Sequence, residues 1–457
     1  MAASLAYWPA IELFADSYDF LRLARVLEPG WWHPSGYSLL LALLSLSGRL
    51  GAVTVLQHLL GLGMGVLIYL FALRLGVRRW LAALAALPVL LDSYQVSLEQ
   101  FILAETLTSA LLIGGLAVLL WRERVGAWRG ALAGLLLAAA ALTRPDTLPV
   151  LVVAALYLLV RAGRWRGLIS CCAVAAALLI GYGGWYAATY GHFGYSDYTG
   201  FWLYGRVAPF AACHRYRLPG RLAQLCPPKP LGRRSHNPEY FADAATAPIH
   251  ALPLGSRDQR NVLGERFAIA VIERQPLAYA SVVLADTWHY FTPGRWMTAD
   301  RIDMQRWRFP PAHIGRNLTR QQYHVYYANA GFRGRINASP DYALIGPLRA
   351  YQSVGYTPGP LLFACLAGAL LVALGLARGG ARRRHARWAA LLLAVSGVLI
   401  VLIASMVAQF SYRYGLPLLV LLPPAGAAAA DIGLDALARL RLRRPRLGAE
   451  RVRVEVG

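Results

Sequence analysis

Apolar runs alternate with short polar breaks through most of the chain, at lengths approaching the roughly 20 residues that a bilayer-crossing helix needs. They lie near 51–73, 80–96, 101–121, 130–143, 146–160, 167–187, 358–377, 388–409 and 414–431. Several are short and interrupted by Pro or Gly, which bundles tolerate where neighbouring helices satisfy the backbone. Two more stretches have helical spacing but cannot span. Residues 17–27 (SYDFLRLARVL) and 36–47 (GYSLLLALLSLS) read as helices lying at a membrane interface. Residues 1–15 are apolar but too short to cross, so a first span is truncated or begins upstream.

The polar stretch 188–357, rich in Tyr, Trp, Arg and Pro, is long enough for a small domain. Within it, 261–290 reads as two helices broken at Gln275–Pro276. The pattern predicts an all-α polytopic membrane protein of about 9–10 spans. It divides into a membrane module over 1–187, an external domain over 188–357, transmembrane helices over 358–435 and a basic tail over 436–457.

Charge gives the orientation. Arginines cluster after alternate spans: Arg74, Arg78 and Arg79; Arg122, Arg124 and Arg129; Arg161, Arg164 and Arg166; then 378–387 and 439–446. Those loops are cytoplasmic by the positive-inside rule. Loops 1–50, 92–100, 143–146, 188–357 and 410–414 are then external, in the plasma membrane of the cell. The 36–47 helix cannot be a crossing, because it would invert every later loop.

Composition agrees. The chain has 457 residues, 57% hydrophobic and 15% charged, against about 25% charged for a soluble domain. A net charge of +23 would suit a nucleic-acid binder, but not beside this much apolar sequence. The bilayer is the expected partner, and nucleic acid is not. The arginine-rich tail is expected on anionic lipid. Asn317 and Asn337 begin glycosylation sequons that carry little weight here.

Candidate chemistry gathers in the external loops. Asp16 and Asp19, three apart, share a helix face. An acid there is a general base for a hydroxyl, or else an N-cap with a second acid in the first turn. Composition alone favours the cap. His33 is a phosphate ligand or proton carrier, or simply precedes a helix with Pro34 at its first position. Glu99 and Glu105 flank the start of a span, with Glu105 the deeper; for Glu99 a plain interfacial placement is favoured.

Arg144 and Arg413 lie in external turns and break the charge rule, so each needs a reason. Arg144 either pairs with Asp146 or binds a lipid phosphate, and Arg413 presents the same choice. Arg206 and His289 are weaker candidates. Cys213 and Cys226 are a disulfide candidate if their segment is outside, and otherwise two thiols. Gly61, Gly63 and Gly65 read as a small-residue packing face. No CxxC or HExxH occurs; no cofactor is expected, and no ligand spacing indicates a divalent metal.

The order Asp16-Ser-Tyr-Asp-Phe20, His33-Pro-Ser-Gly-Tyr37, Leu103-Ala-Glu105 and Thr143-Arg-Pro-Asp146 resembles the GT-C polyprenyl-phosphate-dependent glycosyltransferases. That superfamily includes protein O-mannosyltransferases, lipid A aminoarabinose transferases and actinobacterial arabinosyl- and mannosyltransferases. The likeness covers roughly 8–190 and the membrane layout. It implies external transfer of a sugar, arabinofuranose or mannose by expectation, from a polyprenyl-phosphate donor to a glycan, lipid or protein, with inversion. It implies Asp16 as base and Glu105 as the second-loop acid, with Glu99 less securely aligned. Arg144 and Arg413 would face the donor phosphate, with Asp19, His33, Arg206 and His289 as further binding candidates. The rival readings are a transporter of lipid-linked sugars and a catalytically silent envelope partner. The silent partner predicts that Asp16 and Arg413 lie apart.

Overall fold

The computed structural model describes residues 2–11, 15–161, 165–293, 307–310, 332, 341–375 and 381–443. Both sequons and the tail beyond Arg443 lie outside the described residues. Among the described residues there is no strand, only an isolated parallel bridge between Ile11 and Phe101. The architecture is an all-α, polytopic membrane bundle.

The N-terminal half runs α1 (Ala2–Ala6), α2 (Ala15–Val26), α3 (Gly36–Ser45), α4 (Gly51–Leu75), α5 (Arg79–Leu91), α6 (Ser93–Leu98), α7 (Glu105–Leu120), α8 (Ala127–Thr143), α9 (Leu148–Val160) and α10 (Trp165–Tyr190). Next come α11 (Thr199–Val207), α12 (Pro238–Asp243), α13 (Pro248–Ala251), α14 (Arg257–Arg274) and α15 (Pro276–His289). The C-terminal part is α16 (Tyr342–Val354), α17 (Gly359–Ala373), α18 (Ala381–Val407) and α19 (Leu416–Arg443).

Each predicted apolar run contains a helix, but among the described residues only four helices are long and apolar enough to cross a bilayer alone: α4, α10, α18 and α19. The count rises to six if the bent pairs α14–α15, at 103°, and α16–α17, at 46°, each form one span. α5, α7, α8 and α9, at 13–17 residues, reach only about 20–26 Å. The predicted 80–96 run ends early because Asp92 starts a new helix, accepting hydrogen bonds from the N–H groups of Tyr94 and Gln95.

One end of the bundle is tied by basic residues. Arg78 donates to Asp431 (2.9 Å) and Asp435 (2.6 Å), and Arg383 also pairs with Asp435. His385 hydrogen-bonds the Leu120 carbonyl at 2.8 Å, and Arg74 donates to that of Trp121 at 3.2 Å. These contacts gather the ends of α4, α7, α18 and α19. The 27 residues of α18 carry the chain about 40 Å from this end to the other.

At that other end a separate hydrophobic cluster forms from α11–α14, around Phe201, Tyr204, Phe241 and Phe267. The Cys213–Cys226 disulfide is present there, with Cα atoms 6.2 Å apart. Tyr279 of α15 donates to the Met406 carbonyl (3.0 Å), fixing α15 against the end of α18.

Candidate active site

Two chain segments meet beside α7 because the Ile11 N–H donates to Gln100 O (2.8 Å) and the Ile102 N–H to Ile11 O (3.3 Å). Ser17 Oγ adds a bond to Ile102 O at 2.9 Å. The start of α2 is thereby held against the start of α7, and Asp16 and Glu105 share a neighbourhood. Pro145 supplies the third wall. A residue before proline is pushed out of the helical region, and Arg144 is extended at φ −148° and ψ 113°, so α8 stops and Arg144 turns inward. The turn Tyr412–Gly415 between α18 and α19 supplies the fourth.

The resulting cavity, of about 330 Å³, is lined by Asp16, His33, Glu105, Arg144, Asp146 and Arg413 among others. Arg413 Nη1 donates to Asp16 Oδ2 at 2.6 Å, and its Nε lies 3.5 Å from Glu105 Oε1. Arg144 Nη1 donates to the same Glu105 oxygen at 2.6 Å, and its Nη2 to Asp146 Oδ2 at 2.8 Å. Both guanidiniums pack over the Tyr414 ring, at 4.7 Å and 5.1 Å from its centroid. His33 Nε2 stands 3.5 Å from Asp16 Oδ1. The buried Glu105 Oε2 has no hydrogen-bond partner among the described residues.

Three carboxylates thus face two arginines and one imidazole. Burial pushes the Asp16 carboxyl up, but the Arg413 charge and the His33 contact outweigh it and hold Asp16 well below the usual carboxylate range. Asp16 is therefore an anion at physiological pH, and Arg413 is its counter-ion.

The opposite wall is aromatic. His33 stacks on Trp32 (5.0 Å between centroids) and on Phe20 (5.3 Å). Trp32 neighbours Tyr198 at 5.4 Å, and Tyr198 meets Trp202 edge-on at 6.0 Å. Tyr198 and Trp202, one turn apart at the start of α11, bring the external segment over the cavity. Ile403, Ala404, Val407 and Ala408, from the end of α18, add an apolar side.

Several expectations are corrected. Asp16 is not a cap but the second residue of α2, with its carboxylate turned to Arg413. Pro34 precedes Ser35, the N-cap of α3, so it is not the first helical residue. Asp19 stays out of the cavity and pairs with Arg22 at 2.9 Å. Glu99 is buried elsewhere: it accepts from His58 Nδ1 (2.7 Å) and Gln95 Nε2 (2.9 Å). Gly61 is what admits that carboxylate, since a Cβ there would lie 2.0 Å from it; Gly65 packs on Leu90, and Gly63 faces open space. Arg206 and His289 meet at Asp286, with Arg206 Nη1 at 2.6 Å and His289 Nδ1 at 3.8 Å, outside this cavity.

The external segment reads as rich in Tyr and Trp, but which rings line the cavity went unread, and Tyr414 was marked only by its place next to a rule-breaking arginine. Among the described residues no group of three or more His, Cys, Asp or Glu is placed to hold a metal ion.

No family model matches the chain, and no curated protein matches it. Among solved structures the chain is similar to the crystal structure of ArnT from Cupriavidus metallidurans in the apo state. The identity is 13% and the TM-score 0.32, over 96% of this chain and 75% of that chain. A likeness at that level carries no argument about activity.

Proposed function

We propose that this chain is a membrane glycosyltransferase of the GT-C type. It takes a sugar from a polyprenyl-phosphate donor and passes it to an acceptor hydroxyl on the non-cytoplasmic face, as a step in building the cell envelope. The observation that carries this reading is the convergence of Asp16, Glu105, Arg144 and Arg413 on one cavity beside the apolar end of α18. A silent partner would not need a buried carboxylate and arginine from opposite ends of the chain in one cleft. The cavity also lies at the end of the bundle opposite the arginine-bound loops, which the positive-inside rule assigns to the cytoplasm.

The chemistry follows from the contacts. The donor phosphate takes the guanidiniums of Arg144 and Arg413, whose forked donors match its oxygens. Arg413 then leaves Asp16, whose carboxylate becomes basic enough to accept the acceptor's proton. The acceptor oxygen attacks the anomeric carbon as the bond from that carbon to the phosphate oxygen breaks. The electron pair goes to the lipid phosphate, where the arginines stabilise it. A single displacement inverts the anomeric centre. Asp146 and Glu105 hold Arg144 in place.

The test is transfer from radiolabelled polyprenyl-phosphate arabinofuranose and mannose in membranes carrying the full chain. Label in a product that depends on Asp16 supports the reading. No transfer from either donor, with no polyprenyl phosphate bound to the purified protein, defeats it.

A further inference from the structure

We propose that the acceptor is a saccharide, and that Trp202, with Trp32 and Tyr198, is the platform on which its ring lies. The inference rests on the transferase reading and deepens it.

The argument is one of order along the cavity wall. Arg144 and Arg413 meet at Glu105; Arg413 contacts Asp16; Asp16 faces His33. His33 stacks on Trp32, which neighbours Tyr198, which neighbours Trp202. Asp16 therefore stands between a cationic pole and an aromatic pole. In an in-line displacement the attacking oxygen lies across the anomeric carbon from the leaving phosphate, and the base must reach that oxygen's proton. With phosphate at the arginines, the acceptor falls on the far side of Asp16 from them, which is the aromatic side.

What that side offers fits a sugar. Flat ring faces pack on the C–H faces of a saccharide, a face that a serine or threonine hydroxyl or a lipid amine does not bring with it. The buried Trp32 Nε1–H has no partner among the described residues, and an unmet buried donor calls for an acceptor atom such as a ring hydroxyl. The wall is also held from behind, as a recognition surface requires. The Tyr198 hydroxyl bonds Asp243, and Trp31 Nε1 reaches Asp258 at 3.3 Å. Arg257 lies 4.4 Å over the Trp31 ring.

The experiment uses the full chain in lipid nanodiscs with undecaprenyl phosphate present. Saturation-transfer NMR reads binding of a panel of neutral di- and trisaccharides of common hexoses and pentoses, with serine- and threonine-containing peptides as the competing class. The wild type is expected to bind at least one saccharide. Trp202→Leu, which keeps apolar bulk but loses the ring, is expected to weaken that binding about tenfold, the scale of one good stacking contact. Trp202→Phe stays within about threefold. Undecaprenyl phosphate binding stays within about twofold in both variants, which also reports that they are folded. The proposal is overturned if no saccharide binds, if Trp202→Leu binds it as well as wild type, or if a peptide is the ligand that Trp202→Leu loses. Failure of the transferase reading shows separately, as a wild type that does not hold undecaprenyl phosphate.

Discussion

Arg413 donates a 2.6 Å hydrogen bond to Asp16, joining positions 397 residues apart in sequence inside one buried cleft. A carboxylate held by a guanidinium is a poor base, and a guanidinium held by a carboxylate is a poor phosphate ligand. On the proposed reading an arriving phosphate would release each, so that donor binding and activation of the base would be one event.

Asp16→Asn separates the two roles. It removes the base and leaves Arg413 with Glu105 as its carboxylate partner. Transfer is expected to fall by about 10²–10⁴-fold, the range for loss of a general base. Binding of polyprenyl phosphate is expected to hold or to tighten, because the anion no longer competes with the Asp16 carboxylate for Arg413. Both are measurable on one preparation, by labelled-sugar transfer and by native mass spectrometry of bound lipid. Near-normal turnover would remove Asp16 from the mechanism.

Arg413→Lys keeps the charge and loses the fork. Lysine cannot serve Asp16, Glu105 and a phosphate with the planar geometry of arginine. Polyprenyl phosphate binding is expected to weaken about tenfold, with thermal stability close to wild type. Arg413→Ala is expected to cost about 3–5 kcal/mol of stability, because it leaves the buried Asp16 carboxylate without its arginine, while Glu105 keeps Arg144. Thermal unfolding in detergent reads the difference. Equal stability of the Ala variant would mean that the Asp16 carboxylate is solvated in a way the cleft does not suggest.

The depressed Asp16 carboxyl sets a pH dependence. Its pKa is lower in the folded chain than in the unfolded one. Its stabilising contribution is therefore complete above the ordinary carboxylate range, near pH 4, and is lost as pH falls below that toward its own value. The gap in melting temperature between wild type and Asp16→Asn is expected to stay constant from about pH 9 to 5 and to narrow below about 4. A gap that closes between pH 6 and 7 would show that Asp16 titrates as an ordinary or raised carboxyl.

Much of this cleft was legible in the sequence for a physical reason. An arginine in an external turn opposes the charge rule, and an acid at the head of a span is costly, so Arg144, Arg413 and Glu105 stood out before any coordinates. Glu99 reads as the shallower, plainly interfacial acid, yet it is buried, and elsewhere. The turn between α6 and α7 sends it toward His58 and Gly61, and no periodicity encodes that turn. The external segment reads as aromatic-rich, but which of its rings line the cleft cannot be read. With 13 Trp and 24 Tyr in the chain, nothing marks Trp202 until the start of α11 meets the loop between α2 and α3. The runs at 80–96 and 101–121 are longer than their helices for different reasons. Asp92 starts a short helix of its own that a hydropathy window absorbs, while residues 101–104 leave the helix to pair with Ile11.

The disulfide and the face it occupies can be tested together. Only Cys171, Cys172 and Cys365 are free, so denatured, unreduced protein is expected to take three thiol labels, and five after reduction. Bridging a loop of this length is worth about 3 kcal/mol, so the Cys213→Ser, Cys226→Ser double variant is expected to unfold at a lower temperature. Its external cluster around Phe201 and Phe267 should loosen first, read as faster proteolysis near Tyr216. A single cysteine at Ser196, on the cavity rim, in a chain otherwise free of cysteine should then react with a membrane-impermeant maleimide in intact cells. One at Arg124 should react only after the cells are opened. The reverse labelling pattern would put the cleft on the cytoplasmic side, where the arginine clusters of α4–α5 and α18 could not be, and with it the whole assignment of donor and acceptor.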